Sequence, residues 1–82
     1  MEELSEHFLE VYDLVTEKLA EPAIQLVEYS NFENYQVMTY FPLEARIMVG
    51  WSNKFEDWQE KNFKLEEVKD ACHFYSKLFT NV

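Results

Sequence analysis

Glycine, proline and cysteine are scarce in this sequence. The 82 residues include one Gly, two Pro and one Cys. So few Gly and Pro exclude a collagen-like or linker-rich chain, and the lone Gly50 excludes a Gly-rich phosphate-binding loop. A single Cys cannot form an internal disulfide, which is typical of a reducing compartment. The length corresponds to one domain, residues 1–82, and 48% apolar residues are enough for a core.

Cationic residues are also few. Seven Lys and Arg stand against sixteen Asp and Glu, which gives a net charge of −9. Such a charge repels phosphate backbones and anionic lipids, so we expect neither direct nucleic-acid binding nor membrane adsorption. Apolar runs are too short to span a membrane, and the acidic start Met1-Glu2-Glu3 is unlike a secretory signal. We therefore expect a cytoplasmic protein.

The first segment, residues 2–20, predicts an amphipathic helix that ends at Pro22. Its apolar residues recur every three or four positions and fall on about a third of the helix circumference. They are Leu4, Phe8, Val11, Tyr12, Val15 and Leu19. The acids between Glu2 and Glu21 fall on the opposite side.

The rest of the sequence predicts three strands and two helices. β-branched and aromatic residues favour strands over residues 23–29, 35–41 and 45–51, whereas helices are predicted over residues 53–61 and 64–79. Short links between the strands predict an antiparallel meander. The predicted fold class is α+β, in the order α-β-β-β-α-α, with the helices packed on one face of a three-stranded sheet.

Alternation along the strands divides the side chains between two sheet faces. The face predicted to lie under the helices carries Val37, Phe41, Ile47, Val49 and Trp51. The face predicted to be open carries Gln36, Met38, Tyr40, Arg46 and Met48. The open face is still fairly apolar, and two interpretations remain: a homodimer interface, or long side chains that cover one another.

The sequence has no pattern typical of catalysis, of a cofactor or of a metal site. Cys72 and His73 are adjacent, but neighbours on a helix point about 100° apart and do not face each other. Cys72 lies on an apolar stripe, which favours a buried inert thiol, and His7 flanks the apolar side of the first helix. We therefore expect no enzymatic activity.

The acidic residues are concentrated in the first half of the chain. Residues 1–44 contain ten acids and one base, whereas residues 45–82 are neutral overall. A solvated helix face normally mixes charges, but here Glu6–Glu10 and Asp13–Glu17 are like-charge pairs at i,i+4 that destabilise the helix. Seven carboxylates between residues 2 and 21 give about one charge per 4 Å of helix, against about one per 3.4 Å along a DNA strand.

This row of charge predicts a binding surface for a basic partner. The predicted partner-binding residues are Glu3, Glu6, Glu10, Asp13, Glu17, Glu21, Glu28 and Glu33. By size, charge and lack of catalytic motifs, the whole chain resembles the small acidic inhibitors of bacteriophages, among them DNA mimics. This resemblance implies a bacterial host cytoplasm and a DNA-binding target, such as a histone-like nucleoid protein, a nuclease or a CRISPR effector.

Two other functions remain open at this stage. An immunity protein or antitoxin would use the same charges against one basic nuclease toxin, with Tyr29, Phe32 or Tyr35 as aromatic anchors. A dimerising adaptor domain would associate through the open sheet face, and its acids would serve solubility.

Overall fold

The computed structural model describes residues 6–21, 24–53 and 57–78. Within these ranges the elements are α1 (Glu6–Leu19), β1 (Gln25–Ser30), β2 (Asn34–Phe41), β3 (Arg46–Asn53), β4 (Gln59–Lys64) and α2 (Val68–Lys77). The 3-10 turns Pro42–Glu44 and Leu65–Glu67 follow β2 and β4. The predicted α+β class is confirmed, but the predicted order and the three-stranded sheet are wrong, because the described sheet has four strands.

The four strands form an antiparallel meander in the order β1-β2-β3-β4. Both helices lie on one face of this sheet: α1 packs against β1, α2 packs against β3 and β4, and the two helices contact each other. The predicted meander with helices on one face is therefore confirmed. Leu4 and Pro22 of the predicted first helix lie outside the described residues.

Strand β4 replaces most of the predicted short helix. Residues 54–56 lie outside the described ranges, but Gln59–Lys64 pairs with β3 along its length. Of this strand only Phe63 is buried, while the Lys61 ammonium lies over the Phe63 and Phe74 rings at 5.7 and 5.6 Å. Edge strands are commonly rich in charge because charge opposes edge-to-edge association. Because charged residues replace most apolar ones in β4, the strand lacks the alternation of apolar and polar side chains from which strands are predicted.

The two faces of β2 are the reverse of those predicted. Gln36, Met38 and Tyr40 face the helices, since they pair with Trp51, Val49 and Ile47 of β3. The faces predicted for β3 are confirmed, so the error amounts to a one-residue slip of β2, which moves every side chain to the other face. Polar Gln36 favoured the wrong choice: it is buried, and its Nε2 donates to the Tyr75 carbonyl oxygen at 3.0 Å.

Side chains of the same chain cover part of the sheet face opposite the helices. The Trp58 indole lies over Gly50, with the Tyr35 ring 6.1 Å from it. The Arg46 guanidinium lies 4.1 Å above the Phe41 ring and donates to Asn62 of β4. These contacts favour the interpretation that long side chains cover one another on this face over the interpretation that it is a homodimer interface.

Candidate functional site

Five acidic residues on and just after α1 point into solvent. They are Glu6, Glu10, Asp13, Glu17 and Glu21, and we call them the acidic face. The opposite side of α1 is buried through Phe8, Val11 and Val15. At 100° per residue the five acids fall within about 80° of the helix circumference. The predicted amphipathic helix and its acidic side are therefore present in the structure.

The acidic face makes no ion pair with any of the described residues. The ion pair found in those ranges joins Arg46 to Glu44 at 2.8 Å, beyond the end of β2. The Lys69 ammonium lies 6.0 Å from the centre of the Tyr12 ring, on the flank of α1 that faces α2. The like charges along α1 are therefore not neutralised by ion pairs, although Lys18 lies in the last turn of the helix. Each like-charge pair at i,i+3 or i,i+4 destabilises the helix by a few tenths of a kcal/mol.

The charge density of α1 is lower than that of DNA. From Glu6 to Glu17 the helix rises by about 16 Å, so its four carboxylates stand on average about 5.5 Å apart. One DNA strand carries a charge about every 3.4 Å along its axis. The helix alone is thus a sparser row than a DNA strand, and acids from other elements are needed to raise the density.

The remaining predicted acids are distributed over other parts of the fold. Glu28 lies on β1 and lines the same cavity as Glu10 of the acidic face. Glu33 lies in the β1–β2 turn, exposed to solvent. Glu3 lies outside the described residues. Glu28 therefore lies near Glu10 in the fold, but its pairing with Val37 points its side chain to the sheet face opposite the helices, away from α1.

A cavity of about 390 Å³ opens beside the acidic face. It is bounded by α1, β1, β2 and the C-terminal end of α2, and we call it the α1–β1 cavity. Its walls are mainly apolar, from Val11 and Leu14 of α1, Val27 of β1 and Leu78 after α2. Its size lies near the lower end of the range for small-molecule sites, roughly 300–1,000 Å³.

Two buried polar side chains line this cavity. Tyr75 of α2 is only 2% exposed, and its hydroxyl oxygen Oη makes no hydrogen bond with the described residues. Gln36 of β2 is 4% exposed and is held by its bond to the Tyr75 carbonyl. Burial raises the pKa of Tyr75; the nearby Gln36 side chain offsets part of that rise, and the Glu28 charge adds to it. The hydroxyl therefore stays protonated and is able to donate or accept a hydrogen bond.

The β1–β2 turn fixes the outer rim of the cavity. The Asn31 side-chain oxygen accepts hydrogen bonds from the backbone N–H groups of Glu33 and Asn34 at 2.8 and 2.7 Å. The Asn31 amide nitrogen donates to the Tyr29 hydroxyl at 3.0 Å. Both Tyr29 and Asn31 line the cavity. An Asx turn thus holds an aromatic ring at the opening.

The Glu28 side chain points to the sheet face opposite the helices, because Glu28 pairs with Val37 across the β1–β2 ladder. Its Oε1 accepts a hydrogen bond from the Gln25 side chain at 3.2 Å. A hydrogen bond to Glu28 raises the pKa of Tyr35, because it favours the protonated phenol next to a carboxylate. The Glu28 carboxylate is therefore engaged with neighbours on that outer face.

Sequence reasoning did not identify Gln36 or Tyr75 as site residues. Tyr75 lies three residues after Cys72 on the apolar stripe of the predicted last helix, which indicates a core position, and Gln36 is predicted to lie on the open face. The one signal in the sequence was the polar Gln36 between Tyr35 and Val37 of β2, since a polar residue in an apolar strand can mark a buried hydrogen bond.

The pair Cys72–His73 has no geometry for nucleophilic catalysis. Cys72 is fully buried, and burial raises the pKa of its thiol to about 12. The His73 ring stacks on Phe8, with ring centres 3.9 Å apart. The prediction of a buried thiol is confirmed. Among residues 6–21, 24–53 and 57–78 no group of three or more His, Cys, Asp or Glu is arranged to hold a metal ion.

No helix in the described ranges is both long and apolar enough to cross a membrane. Comparison with family models, with curated proteins and with solved structures finds no match to this chain.

Proposed function

We propose that this protein is an acidic DNA mimic, which binds the basic DNA-binding surface of another protein and occludes it from nucleic acid. The observation that supports this proposal is the acidic face: outward-pointing carboxylates along one side of α1, none of which forms an ion pair with a described residue. Occlusion needs no catalytic group, and we propose no enzymatic activity.

The charge arrangement favours binding over simple solubility. Solubility is served equally well by acids spread over the surface, without repulsion along one helix. Here Glu6–Glu10, Glu10–Asp13 and Asp13–Glu17 repel one another at helical spacing. A partner that supplies Lys and Arg relieves this repulsion on binding, and the negative field accelerates association at low salt.

The proposed target is a protein that binds DNA mainly through the phosphate backbone, such as a histone-like nucleoid protein. For such proteins backbone charge and DNA deformability matter more than base contacts, so a charged surface is a sufficient substitute for DNA. The proposed setting is the cytoplasm of a bacterial cell, with a bacteriophage as the source of the inhibitor. Nucleases and CRISPR effectors are further targets with a comparable basic groove.

An immunity protein against a basic nuclease toxin is the second candidate. The observation in its favour is the exposure of aromatic side chains near the acids: Phe32 is 88% exposed and Tyr29 is 49% exposed. Aromatic residues of this kind are common energetic anchors of tight protein interfaces. The two candidates differ in whether the aromatics or the acids contribute most to binding.

The test uses two variants with the same change in net charge. In the first, Glu10→Lys, Asp13→Lys and Glu17→Lys reverse the acidic face. In the second, Asp57→Lys, Glu60→Lys and Glu66→Lys reverse exposed acids near β4 and α2. Tagged wild type and both variants are used to capture proteins from nuclease-treated bacterial lysate at low and high salt. Each captured protein is then purified and bound to a fluorescent DNA duplex.

We expect wild type and the second variant to displace the duplex at low salt, and the first variant to fail. Displacement that weakens steeply with salt supports the mimic, because each broken contact with a cation contributes to the salt dependence. Equal displacement by both variants would refute a role for the acidic face. A single salt-resistant partner, lost on Phe32→Ala but not on acid reversal, would favour the immunity protein.

A further inference from the structure

The α1–β1 cavity presents apolar surface to solvent between the first helix and the first strand. Leu14 of α1 and Tyr29 of β1 are each close to half exposed. Both line the cavity, together with the deeper Val11 and Val27. Apolar surface is more stable when it is removed from water, and a contiguous patch of it commonly marks an interaction site.

The polar side chains of the lining are engaged within the chain. Asn31 is held in the β1–β2 turn and bonds to the Tyr29 hydroxyl, while Gln36 donates to the Tyr75 carbonyl oxygen. The Tyr75 hydroxyl has almost no accessible area, so an incoming group does not reach it. The cavity therefore offers mainly apolar contacts, which favour an apolar group over a charged one inside it.

One border of the cavity belongs to the acidic face. Glu10 lines the cavity and is a member of that face. Leu14 lies one turn after Glu10 and about 40° from it around the helix axis, between the acids and the buried side of α1. An apolar group inside the cavity therefore lies next to the row of carboxylates. Charge complementarity requires that the residues flanking this group be Lys or Arg.

The size of the cavity suits a single side chain. Its volume of about 390 Å³ is enough for one aromatic or long aliphatic group. Large apolar side chains that fill a pocket at an interface are frequent energetic anchors. The cavity and the acidic face together thus match a basic segment that contains a large apolar residue.

We infer that the α1–β1 cavity receives one large apolar side chain of the basic partner, while Lys and Arg next to that side chain lie on the acidic face. This inference rests on the proposed function, since it specifies which kind of basic segment the acidic face binds. The apolar anchor strengthens binding at all salt concentrations, because salt screens the contacts between charges and not the burial of apolar surface.

The experiment measures peptide binding to the isotope-labelled protein by NMR titration. One heptapeptide has Phe at its centre with three Lys on either side, and the matched peptide has Ala at its centre. The variant Leu14→Gln makes one wall of the cavity polar. The control Leu9→Gln is the same change on the same helix, at a residue that is 44% exposed against 45% for Leu14 and lies outside the cavity lining. Thermal unfolding of both variants confirms that they are folded.

We expect the Phe peptide to bind wild type about tenfold more tightly than the Ala peptide, a difference of about 1.4 kcal/mol. It should also shift the resonances of Val11 and Val27. This ratio should persist as salt is raised, while both affinities fall. Leu14→Gln should reduce the ratio to about threefold or less, because apolar contact area is lost. Leu9→Gln should leave the ratio unchanged.

Other outcomes separate this inference from the proposed function. Equal binding of both peptides to wild type, with shifts confined to the acidic face, would overturn the apolar anchor and leave the mimic intact. The same holds if Leu14→Gln and Leu9→Gln have equal effects on the ratio. Shifts of Val11 and Val27 that depend on protein concentration without peptide would assign the cavity to a second copy of the chain and overturn the anchor. Failure of both peptides to bind, or binding that survives reversal of the acidic face, would overturn the anchor together with the mimic.

Discussion

Gly50 is required because the Trp58 indole occupies the space where a side chain would lie. A Cβ atom placed on Gly50 would be 2.5 Å from Cη2 of Trp58 and closer still to Cζ2. Ordinary carbon contacts are about 3.5–4.0 Å, so the indole would have to move. Since φ at Gly50 is not positive, the backbone itself accepts alanine. The predicted effect of Gly50→Ala therefore depends on Trp58.

The magnitude follows from the burial of Trp58, which is 45% exposed. A fully buried aromatic side chain covers about 150–250 Å², so its contact here buries on the order of 100 Å². At about 25 cal/mol per Å² this contributes up to about 2.5 kcal/mol. Alanine is favoured over glycine inside a strand by about 0.5–1 kcal/mol. Gly50→Ala should therefore lower the free energy of unfolding by about 1.5–2 kcal/mol.

The assay is a double-mutant cycle with Trp58→Ala, measured by urea denaturation. In the Trp58→Ala background the clash is absent, so Gly50→Ala should raise the free energy of unfolding by about 0.5–1 kcal/mol. The substitution thus changes sign between the two backgrounds. Stabilisation of the same size in both backgrounds would show that Trp58 does not cover Gly50, and would refute the account of the outer sheet face given above.

Three further predictions concern Cys72 in the core and Asn31 at the cavity rim. Because burial raises the pKa of the Cys72 thiol from 9.0 to about 12, the native thiol should react with a disulfide reagent at pH 8 far more slowly than in urea; comparable rates would contradict its burial. Because the thiol pKa is lower in the unfolded chain, the unfolded chain loses this proton first as the pH rises. The free energy of unfolding should therefore fall between pH 9 and pH 12, by at most about 1.4 kcal/mol per pH unit. Urea titrations of Cys72→Ala over the same pH range should show a smaller fall. Asn31→Ala should lower the free energy of unfolding by about 1 kcal/mol, because the two turn hydrogen bonds are lost. Asn31→Asp keeps the accepting oxygen and should lower the free energy of unfolding by less. If urea denaturation shows equal losses for both variants, the effect belongs to the hydrogen bond with Tyr29.

The sequence was sufficient for the parts of the fold that depend on local periodicity. The apolar repeat through Phe8, Val11 and Val15 predicts α1 and its buried side, because residues three and four apart share one helix face. The alternation in β3 predicts the buried face with Ile47 and Val49 correctly. Strand β4 was missed since its charged residues suit an edge strand and carry little alternation.

The candidate site was predictable only where it belongs to a single element. The acidic face follows from the positions of Glu6, Glu10, Asp13 and Glu17 along one helix. The α1–β1 cavity does not, because its lining residues come from four elements and meet only through tertiary packing. Glu28 and Tyr75, for example, are far apart in sequence, and no periodicity relates them.

The sequence by itself determined the α+β class, the amphipathic first helix and the concentration of negative charge in the first half of the chain. These properties depend on composition and on the spacing of residues close in sequence. In a helix or a strand the backbone geometry fixes which of these residues share one face. The tertiary structure alone decided which face of β2 is buried, because the pairing of Gln36 with Trp51 fixes the register and a shift by one residue inverts both faces. It also decided that residues of α1, β1, β2 and α2 surround one cavity, since only the packing of α1 and α2 on the sheet brings them together.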